Sequence, residues 1–190
     1  VFYQDHLCIM GENGSGKTTL LKIILEGLPS DKGTVSLGAN VKIGYLPQNM
    51  VFENEEMTLL EYFMDLHLVN EGEARSELAK MLFIKDDVYK KISNLSGGEK
   101  SRLKLSSLVY ENVNLMILDE PTNHLDIDSR EVLEEILFHF KGTILFVSHD
   151  RYFIQRIANK IMVIENCKGK LYPMPYDDYL EERQIGRAHV

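Results

Sequence analysis

Gly11, Glu12, Asn13, Gly14, Ser15, Gly16, Lys17 and Thr18 stand near the start of the chain in the order G-x-x-x-x-G-K-T. Glycines let successive backbone N–H groups turn toward one point without Cβ interference. A helix N-terminus behind them adds a favourable dipole, so the string predicts a cradle for phosphate oxygens. Lys17 would neutralise the β and γ oxygens of a nucleoside triphosphate, and Thr18 would offer a hydroxyl to Mg²⁺, which prefers octahedral oxygen ligands. The flanks agree with this reading. Leu7-Cys8-Ile9-Met10 reads as a buried strand, and Leu20, Leu21, Ile23, Ile24 and Leu25 read as a helix, whereas a plain glycine turn would need neither.

Two further strings carry chemistry. Leu115-Met116-Ile117-Leu118 reads as a buried parallel strand that delivers Asp119 to its carboxyl end, where open α/β sheets bind their ligands. Asp119 is therefore the candidate Mg²⁺ carboxylate. Glu120 follows it, and alternation along an extended chain would turn its side chain away from Asp119, toward an attacking water, as a general base. Two solvated acids at a strand end are the plainer alternative. In Leu95-Ser96-Gly97-Gly98-Glu99, Ser96 and Glu99 have the spacing of a capping box, which predicts a helix running through Leu103, Leu105 and Leu108. Gly97 and Gly98 would bare its N-terminus to an approaching anion. Taken alone, the same residues would serve as an ordinary capped helix.

The elements that must position these groups follow from periodicity and caps. Strands and helices alternate over 1–48 and 112–165, whereas 57–111 carries helical signals only: Thr58 with Glu61 caps one helix, and the stretch from Arg75 to Phe83 suggests another. Asp128 with Glu131 predicts the cap of a helix ending near Phe140. Gly142 breaks it, and Thr143–Val147 returns as a strand. Ile161–Ile164 and Lys170–Tyr172 read as a hairpin, and Tyr176–Arg183 as a last helix. The fold class is α/β, a mostly parallel sheet flanked by helices, with a helical subdomain inserted.

Composition is compatible with this. The 190 residues are 44% hydrophobic and 26% charged, enough for one good core. No apolar run reaches membrane-spanning length and no charged-then-apolar leader is visible, which points to the cytoplasm. Two cysteines, Cys8 and Cys167, fit reduced thiols rather than a disulfide framework, and six scattered histidines have no metal-ligand spacing. The net charge of −8 sits awkwardly with a broad nucleic-acid surface. Lys100, Arg102 and Lys104 form the one basic cluster, and a solvated helix face accounts for it.

In their order and spacing, these strings resemble the ATP-binding cassette family over nearly the whole chain. The resemblance implies ATP and Mg²⁺ as ligands, held by the loop from Gly11 to Thr19. It makes Gln48, in Tyr45-Leu46-Pro47-Gln48, a sensor of Mg²⁺ and the γ-phosphate, although Gln48 could equally be a polar residue ending a strand. His149, after Ile144-Leu145-Phe146-Val147, would contact the γ-phosphate together with the catalytic groups Lys17 and Glu120. Asp126 would be the aspartate of the loop facing a second cassette. Ser96, Gly97 and Gly98 would clasp ATP held by that second cassette, and Arg102 would lie against the nucleotide interface.

The wording of Asp119-Glu120-Pro121-Thr122-Asn123-His124-Leu125-Asp126 and of Ser148-His149-Asp150-Arg151-Tyr152-Phe153 is similar to the F subfamily, whose members are soluble and act on ribosomes. The segment from Asp31 to Gln48 is most similar to the second cassette of such tandem proteins. The resemblance thus implies an ATPase that dimerises around ATP and drives a ribosome-associated factor; the alternative is the nucleotide-binding subunit of a membrane transporter. It divides the chain into one cassette over 1–184, with a core of 1–56 and 112–184 and a helical subdomain at 57–111. Residues 185–190 read as a non-native tail. The family places two strands and an adenine-stacking aromatic before the phosphate loop, and Phe2 and Tyr3 lie too close to that loop to serve.

Overall fold

The computed structural model describes residues 1–188 apart from Gly27, Ser30, Asp31, His124 and Cys167. The reduced thiol expected at Cys167, the motif residue His124 and the last two residues of the expected tail lie outside the described residues. Six strands, β1 (His6–Gly11), β2 (Ile43–Leu46), β3 (Leu115–Asp119), β4 (Thr143–Val147), β5 (Lys160–Glu165) and β6 (Lys168–Tyr172), form one sheet in the order β2-β3-β4-β1-β5-β6. All neighbours run parallel except β5 and β6, the expected hairpin. β1, β3, β4 and β5 are largely apolar runs because the parallel part of the sheet is buried on both faces, whereas β6, at the antiparallel edge, is polar and exposed. Period-2 alternation sends Leu7, Ile9, Ile117, Leu145 and Val147 to one face. Cys8, Met116, Leu118, Ile144 and Phe146 go to the other.

Register is what assembles a site. Ile9 pairs with Val147, and Val147 pairs with Asp119, so β1, β4 and β3 end side by side at their carboxyl edges. The loops leaving these three strands begin with the phosphate-loop string, His149 and Glu120. They meet because β4 lies between β1 and β3, although more than a hundred residues separate Lys17 from Asp119.

Among the described residues, seven α-helices pack with the sheet. α1 (Lys17–Glu26) covers the face of Leu7 and Ile9 through Leu21, with Leu20, Ile24 and Leu25 alongside. Residues 32–42 form no strand and leave Val35, Leu37 and Val41 exposed. Between β2 and β3 come only helices: α2 (Leu59–His67), α3 (Glu71–Lys80), two short 3₁₀ turns and α4 (Gly97–Tyr110). Phe63, Leu78, Phe83 and Leu103 from this stretch join the apolar cluster under the other sheet face. The predicted capping box at Thr58 and Glu61 is present. α3 starts four residues before Arg75 because Asn70 Oδ1 accepts the Glu73 amide at 3.0 Å. It stops short of Phe83, where Leu82 turns left-handed at φ 63°.

α5 (Ile127–His139), α6 (Arg151–Ile157) and α7 (Tyr176–Ala188) complete the set. The α5 cap corrects the sequence reading: Asp126, not Asp128, caps it, its Oδ1 accepting the Ser129 amide at 2.7 Å. Ser129 also donates its hydroxyl to Asp126 Oδ2, so the earlier aspartate secures two bonds and wins the position. α6, unforeseen from periodicity, is a short helix capped by Asp150.

Candidate functional site

β1 ends at Gly11 and α1 starts at Lys17, so the intervening loop must reverse the chain in five residues. Gly14 and Gly16 do this at φ +80° and +98°, conformations that strain any residue with a Cβ. Gly11 is required for a different reason: a Cβ there would stand 2.6 Å from Ser15 Oγ and 2.7 Å from the Ile164 carbonyl. The Ser15 amide closes a turn onto the Glu12 carbonyl at 3.1 Å, and the buried Ser15 Oγ has no hydrogen-bond partner among the described residues. Lys17 is buried, its ammonium donating to the Gly11 and Glu12 carbonyls at 2.8 and 3.0 Å. The loop thus points a cation and the free amides of a helix start into one concavity.

Asp119 is buried at the end of β3 and accepts a hydrogen bond from the Thr18 hydroxyl. Burial raises its pKa above the ordinary aspartate value, against the lowering effects of Thr18, Lys17 and Lys22. Glu120 departs from the expected geometry. It is not the next residue of an extended strand but sits left-handed at φ 49°, with its amide bonded to the Val147 carbonyl at 2.9 Å. That twist, rather than strand alternation, aims its carboxylate at His149, whose Nε2 lies 3.3 Å from Glu120 Oε1. Desolvation raises the Glu120 pKa, the nearby His149 offsetting part of the effect. A non-glycine residue held in this region is a strained position of the kind that collects at working sites.

A cleft of about 520 Å³ joins these groups, lined by Asn13, Gly14, Gly16, Lys17, Thr18, Thr19, Gln48, Asp119, Glu120, Asn123, Val147 and His149. Gly11 and Glu12 instead line the neighbouring hollow beneath α7, which His149 also borders. Gln48 stands two residues beyond β2, at the rim that this cleft shares with a smaller one of about 260 Å³. Asn123, which in the sequence marks the subfamily wording rather than a site role, also lines the cleft, its amide bonding the Glu120 carbonyl at 3.1 Å on the same turn.

None of Ser96, Gly97, Gly98 and Asp126 lines the phosphate-loop cleft, although Gly97 borders the smaller one beside Gln48 and Glu120. Ser96 and Glu99 form the predicted capping box, with Ser96 Oγ accepting the Glu99 amide at 3.2 Å and Glu99 Oε2 accepting the Ser96 amide at 2.9 Å. Ser96 and Gly97 face solvent, but Gly98 does not bare the helix end. It is buried, and a Cβ on it would stand 2.7 Å from both Asp126 Oδ2 and Ser129 Oγ. Gly98 is thus a packing glycine between α4 and α5. The Asp126 carboxyl is held below the usual range, chiefly by the Ser129 amide. Arg102 is also redirected: Nη1 donates to the Met81 carbonyl at 2.8 Å and the guanidinium lies 4.8 Å over the Phe83 ring, inside the helical stretch. Lys100 pairs with Glu55 at 2.9 Å, which further dilutes the basic cluster.

The family model described as ABC transporter matches residues 1–123. The chain belongs to the ABC family. Among its curated relatives, the putative ATP-binding protein YdiF of Bacillus subtilis is 46% identical over 94% of this chain and 28% of its own length. ABC transporter F family member 5 of Arabidopsis thaliana is 39% identical over 97% of the chain and 27% of its own length. The ribosome protection protein VmlR of Bacillus subtilis is 41% identical over 85% and 29%. The cassette is therefore most similar to the F subfamily, and it spans 28% of YdiF, well under half of that relative. Among solved structures, the archaeal ribosome recycling factor aABCE1, in complex with ribosomal stalk protein aP1, superimposes with a TM-score of 0.76. The identity is 26%, over 98% of this chain and 37% of that one. The mostly parallel sheet with flanking helices is the cassette fold expected from the sequence. No helix among the described residues is long and apolar enough to cross a membrane.

Proposed function

We propose that this cassette binds ATP with Mg²⁺ and hydrolyses it as one half of a cassette pair. The observation that carries the reading is the meeting of Lys17, the Thr18–Asp119 pair and the Glu120–His149 pair in one cleft at three adjacent strand ends. The loop amides and Lys17 bind the phosphates. The Thr18 hydroxyl and the Asp119 carboxylate suit a hard cation, and no cluster of three or more acidic, histidine or cysteine ligands exists among the described residues. Mg²⁺ on these two oxygens would complete its shell with phosphate oxygens and water, and when bound it supplies charge neutralisation at the phosphates. Glu120 takes a proton from water as the water oxygen bonds to the γ-phosphorus and the bond from that phosphorus to the β–γ bridging oxygen breaks, giving ADP and inorganic phosphate. His149 holds the Glu120 carboxylate and faces the same phosphate, and Gln48 orders the rim.

Solvent-exposed Ser96 at the α4 start, outside the chain's own clefts, with exposed Gly97 bordering only the smaller of them, supports a clasp on nucleotide bound by a second cassette, with Asp126 near that junction. Likeness to a ribosome protection protein and a ribosome recycling factor supports a ribosome-bound, cytoplasmic role. The test uses the full-length protein carrying Glu120→Gln. ATP binding is expected to persist while single-turnover hydrolysis falls by about 10²–10⁴-fold, and the ATP-locked protein should co-sediment with ribosomes. Adding Ser96→Arg should abolish the compact, ATP-closed state seen by light scattering. Undiminished hydrolysis would remove Glu120 from the mechanism. Closure that survives Ser96→Arg would overturn the clasp, and absence from the ribosome pellet would overturn the translational role.

A further inference from the structure

Asp150 divides its carboxylate between two elements. Oδ1 accepts the amides of Tyr152 and Phe153 at 3.0 and 3.1 Å and so caps α6, while Oδ2 lies 2.8 Å from Nη1 of Arg130. Arg130 stands on the first turn of α5, four residues after the cap Asp126, and its Nε lies 2.8 Å from Glu134. Glu134 is buried, and its other oxygen takes Arg156 at 3.1 Å. A planar guanidinium gripped by carboxylates on two sides cannot swing without losing one of them. Asp150 is thereby tied to α5.

His149 is the residue before Asp150. Its side chain is 56% exposed, and its ring pairs with Glu120 at 3.3 Å. Little packs the imidazole, so its position is inherited from its backbone, pinned between buried Ser148 and Asp150, whose amide bonds Ser148 Oγ at 3.1 Å. At its other end, the first turn of α5 abuts α4, with Asp126 and Ser129 against Gly98.

We infer that Arg130 is a positioning residue for the His149–Glu120 pair, acting through Asp150 and referring the pair to the helix that packs on the start of α4. This rests on the reading of Glu120 and His149 proposed above. In steady-state ATPase assays of the full-length protein, Arg130→Met keeps the apolar stem and loses the fork. It is expected to lower kcat by about 10–10²-fold, the scale of a 1 Å misplacement, with KM for ATP held within about two-fold because no phosphate contact changes. Arg130→Lys should restore part of the loss. Asp150→Asn retains a capping oxygen but not the charge. It should reproduce the effect, and the double variant should be no worse than either single one, since both break the same link. Arg156→Met loosens Glu134 from the other side without touching Asp150 and should leave kcat unchanged.

Unchanged kcat in Arg130→Met or Asp150→Asn, beside an inactive Glu120→Gln, would overturn the inference. An equal loss in Arg156→Met would also overturn it by marking the network as merely structural. If Arg130→Met fails to fold, as judged by its melting curve, Asp150→Asn decides alone. Wild-type turnover in Glu120→Gln would bring down the catalytic reading, and this inference with it.

Discussion

Replacing Gly98 by alanine should destabilise the protein even though it improves a helix. Removing glycine from a helix interior ordinarily gains about 0.5–1 kcal/mol. Here the new methyl would meet Asp126 Oδ2 and Ser129 Oγ, both at 2.7 Å. These atoms cannot simply step aside, because Asp126 accepts the Ser129 amide at 2.7 Å and its hydroxyl at 3.0 Å. Either α4 and α5 separate, an overpacking cost of about 1–3 kcal/mol, or the α5 cap is lost, costing about 0.5–2 kcal/mol. Set against the propensity gain, the net destabilisation is about 0.5–2 kcal/mol if the helices separate and about 0–1 kcal/mol if the cap is lost. At about 2–4 °C for each kcal/mol in a chain of this size, the melting temperature falls by up to several degrees. Gly97→Ala, at the exposed neighbouring position, is the internal control and should be neutral or slightly stabilising. Urea unfolding followed by circular dichroism compares the two. Gly98→Ala as stable as Gly97→Ala would refute the packing role of Gly98.

Lys17→Ala removes a buried ammonium from the loop and should weaken ATP binding before any effect on chemistry, which calorimetric titration measures; equal affinity would sink the phosphate-loop assignment. Asp119→Asn should raise the melting temperature of the nucleotide-free protein at pH 7 while weakening Mg²⁺-dependent ATP binding. The sign follows from its raised pKa: the folded state binds more protons than the unfolded chain between the ordinary and folded values, so stability falls as pH rises through that window and stays lower above it. Asparagine abolishes this loss, so thermal melts from pH 4 to 7 should show a flatter dependence than wild type. No difference between the two melts would contradict the burial effect on Asp119.

Local sequence determined which residues carry the chemistry and which elements they start or end. The strand, glycine turn and helix around Lys17, the capping box at Ser96 and Glu99, and the apolar run ending at Asp119 all depend on neighbours within a few positions, where φ restrictions and cap bonds operate. Tertiary structure decided what short-range rules do not contain. Glu120 reaches His149 through a left-handed turn tied to the Val147 carbonyl, not through strand alternation. Gly98 is glycine because α5 crosses α4 there, and Arg102 turns to Met81 and Phe83 because the helical stretch offers a carbonyl and a ring. Asp126 displaces Asp128 as a cap because Ser129 adds a second bond. Above all, Lys17, Asp119 and His149 share a cleft only because β4 inserts between β1 and β3. Strand order arises from burying both sheet faces at once, a property of the whole chain that no single stretch encodes.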